Sequence, residues 1–530
     1  MGIEMNLRNK AVWGISIFFT VLVIAFSVRM LWLGTAGPIK PLEELNRDWP
    51  QGVNYEIFVR SFYDSNGDGI GDLNGVTEKL DYLKDLGVEG IWLMPIQPSP
   101  SYHGYDVTDY YGINPDYGTV EDFKRLITEA HKRNIRVIID LVLNHTSKEH
   151  PWFQKALAGD PKYRNWYIWA KEGDEPIGWD SLGSSPWHGS GNNRYYGLFW
   201  EGMPDLNYDN PEVRQEAIKI GQYWLKEMGV DGFRLDAAKY IYPTKEKEKN
   251  YTWWQEFRQA MDQVNPNFFM VGEVWDSPSV IGPYLKGGLH SAFNFDLSAK
   301  ILASAKGEED AGIGAYLTRV RDFYKKMDQN AIDSIFITNH DMNRTMSELN
   351  GNLNQAKMAA SLLLTLPGAP FLYYGEEIGM EGKKPDESIR EPMRWFKEAG
   401  KPGETTWERP IYNGPNSPSV EEEMEDQASL YRHYKTFIYL RRSLEPLAKG
   451  EIEESMIRQK GIVAFKRVLE NESILVIHNM TRNPIQVSIP EKEADFGKVL
   501  YANHPDNRIK REKGGLTLTT APYTTTLLAK

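Results

Sequence analysis

The chain has 530 residues, 41% hydrophobic and 25% charged, with a net charge of −12 and no cysteine. That is a globular composition on a length sufficient for more than one domain. An acidic chain without a Lys/Arg stripe excludes a nucleic-acid partner, and the missing thiols exclude disulfides, thiolate zinc sites, thiol catalysis and lipoprotein attachment.

At the start, Arg8 and Lys10 precede an apolar run, residues 11–28, just long enough to span a bilayer. Positive flanks stay cytoplasmic, so residues 1–36 predict export of all that follows. The protein is then expected to be extracytoplasmic, either secreted after cleavage near Gly34 and Ala36 or held to the cell membrane by a retained anchor.

Beyond a Gly/Pro linker near 34–41, strand-like runs alternate with helical patterns. The strands are read at 53–62, 90–96, 136–145, 232–237, 268–275, 291–297, 334–341 and 369–377. Val76, Leu80, Leu83 and Gly87 share one helical face, and Val120, Phe123, Ile127 and Ala130 share another. Eight such alternations predict an α/β fold, a (β/α)8 TIM barrel over 37–145 and 203–449. The segment 146–202 is an inserted domain after strand three, and it holds Trp152, Trp166, Trp169, Trp179, Trp187 and Trp200. Such a density suits a packed lobe or a surface for stacking flat rings, with core packing the better reading of each Trp. From 450 to 530 short strands follow without helices, predicting a C-terminal antiparallel β-sandwich domain.

A barrel carries its active site at the C-terminal ends of its strands. Here those ends are polar: Asp140, Asn144 and His145 after strand three, Arg234 and Asp236 after strand four. Glu273 follows strand five, and Asn339, His340 and Asp341 follow strand seven. Residues i and i+2 share a strand face, so Arg234 and Asp236 point the same way. A guanidinium beside a carboxylate keeps it ionised, which suits a nucleophile. Glu273, among apolar neighbours and near a second carboxylate, is expected to be raised toward neutrality, which suits a general acid. Such a pair about 5–5.5 Å apart performs retaining glycoside hydrolysis. Taken alone, Arg234 and Asp236 also read as a buried ion pair; Glu273 and Asp341 tilt the reading toward chemistry.

One loop, DSNGDGIGD (64–72), offers Asp64, Asn66, Asp68 and Asp72 as hard oxygen donors for a structural Ca²⁺. Gly75 stands where an EF-hand needs its bidentate Glu, so an Asx/Gly turn is the plain alternative.

DLVLNHTS (140–147), GFRLDAAKY (232–240), GEVW (272–275) and FITNHD (336–341) resemble the four sequence regions of the α-amylase family of glycoside hydrolases. MPDLN (203–207) and GAPFLYYGEE (368–377) resemble two further family segments, and the likeness covers roughly residues 48–530. It implies that Asp236 is the nucleophile, Glu273 the acid/base, and Asp341 a ligand of the sugar hydroxyls that helps hold Glu273 protonated. It implies that Arg234 orients Asp236, that His145 and His340 contact the same ring, that Tyr105 stacks beneath it, and that Asp140 and Asn144 support the site. It further implies that the loop after strand one binds Ca²⁺ with the Ile70 carbonyl as a further ligand.

Within the family, Ala237 after the nucleophile and Met203 before PDLN differ from the Val and Gln of oligo-1,6-glucosidases, which argues for α-1,4 bonds. Lys239 matches a residue contacting sugars on the leaving-group side, although Tyr240 replaces its usual His neighbour. Asp106 and IREPMRW (389–395) point instead toward exo-acting glucosidases. The chain therefore resembles the intermediary group between oligo-1,6-glucosidases and neopullulanases. The expected activity is that of a monomeric α-amylase on starch and maltooligosaccharides, more endo than exo. An α-glucosidase or a 4-α-glucanotransferase is the enzymatic alternative. A non-catalytic transporter subunit with an amylase-like ectodomain is a remote one, since no cysteine is present to join a light chain.

Overall fold

The computed structural model describes residues 49–171 and 185–530. Among them eight parallel strands close into a barrel: β1 (Asn54–Ile57), β2 (Gly90–Leu93), β3 (Arg136–Leu141), β4 (Gly232–Leu235), β5 (Phe269–Gly272), β6 (Ser291–Phe293), β7 (Ile332–Phe336) and β8 (Ala369–Tyr373). Each strand pairs with the next in sequence, and β8 closes on β1. The register sets Asp140 beside Arg234 and Leu235 beside Gly272. Asp236 and Glu273, one residue further on, therefore leave the barrel at the same level.

The barrel interior is filled. Trp92, Ile138, Phe269, Val271, Phe293, Phe336 and Phe371 form one buried cluster, a dry floor beneath the polar strand ends. β4 and β5 approach so closely at Gly232 that a Cβ there would sit 1.9 Å from the Phe269 carbonyl oxygen. Outside the barrel the helix Val120–Lys132 buries Phe123, Leu126, Ile127 and Ala130. Its start is fixed by a capping box in which Thr119 and Asp122 each accept the other's backbone N–H.

The strands are shorter than the apolar runs suggest, because helices begin directly after them. After Ile57 the chain turns into the helix Val59–Phe62. After Phe293 the Asn294 side chain accepts from Leu297 N and starts the helix Phe295–Gly307. In the insertion, Phe153 stacks on Trp169 at 5.8 Å and Trp152 meets Trp166 edge-on at 4.8 Å. Trp166 is buried, whereas Trp200 is 44% exposed; Trp179 lies outside the described residues.

The C-terminal strands are β9 (Glu451–Glu454), β10 (Ile462–Leu469), β11 (Glu472–Asn479), β12 (Ile485–Pro490), β13 (Lys498–Ala502), β14 (Arg508–Glu512), β15 (Gly515–Thr520) and β16 (Thr524–Ala529). They form a five-stranded sheet, β9-β10-β11-β16-β13, and a three-stranded sheet, β12-β15-β14, both antiparallel. Alternate residues of the larger sheet serve different cores. Leu475, Ile477 and Leu528 pack with Val487, Ile489 and Leu518 of the smaller sheet. Ile474, Val476 and Leu527 join the core shared with the barrel's helices.

The expectation of a membrane anchor, and of a membrane-held location, is corrected here. Among the described residues no helix is long and apolar enough to cross a membrane. The apolar run 11–28, on which that expectation rested, lies outside the described residues.

Candidate active site

Arg234, 1% exposed, organises the mouth of the barrel. Its Nη1 donates to Asp140 Oδ1 at 2.9 Å and to Asp236 Oδ1 at 2.7 Å, and its Nη2 lies 3.1 Å from Glu273 Oε2. Asp236 and Glu273 thus both face the one guanidinium. Asp236 has left β4, and the next residue, Ala237, takes a left-handed φ of 48° that turns its N–H onto Glu273 Oε2 at 3.0 Å. Oε2 thus accepts from the Ala237 N–H and faces the guanidinium, which leaves Oε1 as the oxygen available to carry a proton.

Asp341 completes the acidic set. Its Oδ2 is 3.0 Å from His340 Nε2, and its Oδ1 accepts from Arg390 Nη2 at 3.0 Å. His340 also reaches Glu56 Oε1 through Nδ1 at 2.5 Å and Tyr105 Oη through Nε2 at 2.7 Å. Tyr105 donates in turn to Asp140 Oδ2 at 3.0 Å, and its ring lies parallel to that of His340 at 5.6 Å.

Electrostatics separate these groups. Burial raises the Glu273 carboxyl, and the neighbouring Asp236 and Asp341 add to the rise against the pull of Arg234. Burial also raises Asp236 despite Arg234, which differs from the expectation of a carboxylate held low. The guanidinium is shared among three carboxylates and does not cancel the loss of water around any one of them. Burial likewise lifts Asp140, to about 7. For Asp341 burial is outweighed by His340 and Arg390, and the group is held well below the ordinary range. Burial would lower His340, but Asp341 and Glu56 hold it raised, at about 9.

The remaining sequence-predicted residues lie around this centre. His145 bonds Asn144 Oδ1 at 3.0 Å and the Tyr105 carbonyl at 3.1 Å, and Asn144 donates to the Tyr240 carbonyl at 2.7 Å. Asp106 is turned to the hydroxyls of Ser99 and Ser101. Lys239 Nζ donates to the Trp275 carbonyl at 2.7 Å and lies 3.2 Å from Asp276, beside Glu273. Glu56, Trp92 and Arg390 were missed as individual residues. A lone acid in the fully buried strand β1 was the available signal for Glu56.

The loop at 64–72 is a separate structure. Asp64 accepts from the N–H groups of Asn66, Gly67 and Gly69, Asp68 accepts from Ile70 N, and Asp72 accepts from Ser65 and caps the helix Leu73–Glu78 at Gly75 N. Its donors are all oxygens, the chemistry of a hard cation. Among the described residues no cluster of three or more His, Cys, Asp or Glu is gathered as a metal site.

Residues 56–450 match the family model of the α-amylase catalytic domain, and residues 462–527 match that of the α-amylase SusG C-terminal domain. "Alpha-amylase 3" of Dictyoglomus thermophilum is 46% identical over 488 residues, 91% of this chain and 94% of that protein. A 4-alpha-glucanotransferase of Thermotoga neapolitana is 37% identical over 81% of this chain and 96% of its own length. The crystal structure of an α-amylase from H. orenii superposes with a TM-score of 0.85 at 46% identity, covering 90% of this chain and 99% of that one. With the barrel, its C-terminal sheets and these matches in place, the chain belongs to the α-amylase family of glycosidases acting on α-glucan linkages.

Proposed function

We propose that the protein is a retaining α-amylase that cleaves α-1,4-glucosidic bonds within starch and maltooligosaccharides. The observation that carries this reading is the single guanidinium, Arg234, hydrogen-bonded to Asp236 and ion-paired with Glu273. Asp236 attacks the anomeric carbon and forms a glycosyl ester as the bond to the leaving oxygen breaks. Glu273 gives its Oε1 proton to that oxygen. Water then loses a proton to Glu273 and attacks the same carbon, which frees Asp236 and restores the starting protonation. Asp341, kept ionised by His340 and Arg390, accepts from sugar hydroxyls and stabilises the positive charge that develops on the ring.

Ala237 and Met203 support α-1,4 over α-1,6 bonds, and the Dictyoglomus relative supports hydrolysis. Lys239 stands on the Glu273 side, where a leaving-group sugar would lie. A second reading, 4-α-glucan transfer, is favoured by the Thermotoga relative. Product analysis on amylose, pullulan, isomaltose and maltotriose separates them. Early mixed oligomers from amylose support endo hydrolysis, glucose alone indicates exo attack, and products longer than the substrate indicate transfer. Asp236→Asn should abolish all of these while the protein stays folded, and near-normal turnover would refute the assignment.

The loop of Asp64, Asn66, Asp68, Ile70 and Asp72 is proposed to take one structural Ca²⁺, supported by its all-oxygen donor set. Chelation should then lower the melting temperature; an unchanged transition after verified metal removal would count against it.

A further inference from the structure

Resting on the catalytic reading above, we propose that Glu56 is a positioning residue that keeps His340 a doubly protonated imidazolium, so that one fixed positive charge sits between Asp341 and the Tyr105–Asp140 pair. The case is one of proton accounting. Glu56 is 2% exposed and His340 fully buried, and they face each other at 2.5 Å through Nδ1. The other ring nitrogen, Nε2, lies 3.0 Å from an Asp341 oxygen and 2.7 Å from Tyr105 Oη. That hydroxyl has Asp140 Oδ2 at 3.0 Å as a second acceptor for its one proton, which leaves it able to accept from His340. Each ring nitrogen therefore faces a carboxylate, Glu56 at Nδ1 and Asp341 at Nε2. A neutral imidazole would aim one bare lone pair at a carboxylate, whereas the cation presents an N–H to both.

The surroundings set how much this charge matters. β1 supplies Glu56, β3 Asp140, the end of β4 Asp236, and the turn after β7 Asp341. The segment after β8 adds the opposing cation Arg390, whose Nε donates to the His340 carbonyl at 3.1 Å. Trp92 from β2 and the Tyr105 ring close the remaining sides without adding charge. With Arg234 and Arg390, His340 is the third cation facing five carboxylates, Glu273 included. If Glu56 were neutral, the imidazole would lose a partner that offsets its burial and would give up its proton within the working range of the enzyme. Asp341 would then lose one of its two cations.

The test is Glu56→Gln, which keeps the shape and removes the charge. In protein labelled with ¹⁵N at histidine, the ring signals that vanish in His340→Gln identify His340. In the parent protein at pH 7.5 both nitrogens should be protonated, and titration should occur near 9. In Glu56→Gln one nitrogen should be bare at that pH, with the titration moved toward the ordinary value of about 6.5. If activity follows the imidazolium, kcat/KM relative to the parent should fall less than twofold at pH 6 and roughly thirtyfold at pH 8. A singly protonated His340 in the parent at pH 7.5, or an unmoved titration in Glu56→Gln, overturns the proposal. A loss equal at both pH values does so as well, being the mark of a merely structural side chain. The ring spectra do not depend on catalysis, so failure of the amylase reading would show in Asp236→Asn turnover and leave this measurement intact.

Discussion

Arg234→Met removes the cation from the mouth of the barrel while keeping much of its volume. In the native protein this buried guanidinium faces Asp140, Asp236 and Glu273 at 2.9, 2.7 and 3.1 Å. Breaking a buried ion pair by deleting one partner costs about 3–5 kcal/mol. For a protein of this size the unfolding entropy is about 1 kcal/mol per degree, so the melting temperature should fall by about 3–5 °C at pH 8. The pH dependence is the sharper signature. A carboxyl raised above its unfolded value of about 4 contributes stability that is fully present below that value and lost as pH rises through its folded one. Asp140 already sits at about 7 with Arg234 in place, and burial raises Asp236 and Glu273 as well. Without the guanidinium all three rise further, so the deficit should be small at pH 5 and full at pH 8. Thermal unfolding at both pH values, followed by circular dichroism, measures it. A deficit equal at the two, or none at either, would refute the view that Arg234 compensates these carboxylates.

Two further outcomes are expected. Glu273→Gln should lower turnover by about 10²–10⁴-fold, and it should leave the melting temperature at pH 8 unchanged or higher, since it replaces a buried acid that burial already opposes. Activity assays and thermal scans on the same preparation check both halves. Gly232→Ala should yield little soluble, folded protein, because its methyl group would have to occupy the space of the Phe269 backbone, and expression followed by size-exclusion chromatography reads this directly.

The alternation of strands and helices is legible in the sequence because each barrel strand is an apolar run and each outer helix carries a 3.6-residue stripe. Strand ends are less legible. SAFNFDL reads as one strand until Asn294 is seen to cap a helix, a decision made by one side-chain oxygen and one N–H. The acids at 236, 273 and 341 stand out because polar residues ending apolar strands have few other uses. Glu56 and Arg390 do not, since their meaning depends on His340 and Asp341, which are brought to them by closure of the barrel across hundreds of residues. The direction of the Asp236 shift was also beyond reach. Spacing reveals that an arginine is near, but not that it serves three carboxylates at once.

The central strands of the larger C-terminal sheet, β11 and β16, are buried on both sides, one against the barrel's helices and the other against the smaller sheet. Among the described residues the middle of this sheet therefore offers no open face on which a polysaccharide chain could lie. Any grip this unit has on a glucan chain falls to its loops, its edge strands and the outer side of β12, β15 and β14. Cutting it away would leave a greasy scar on the catalytic half rather than a trimmed enzyme.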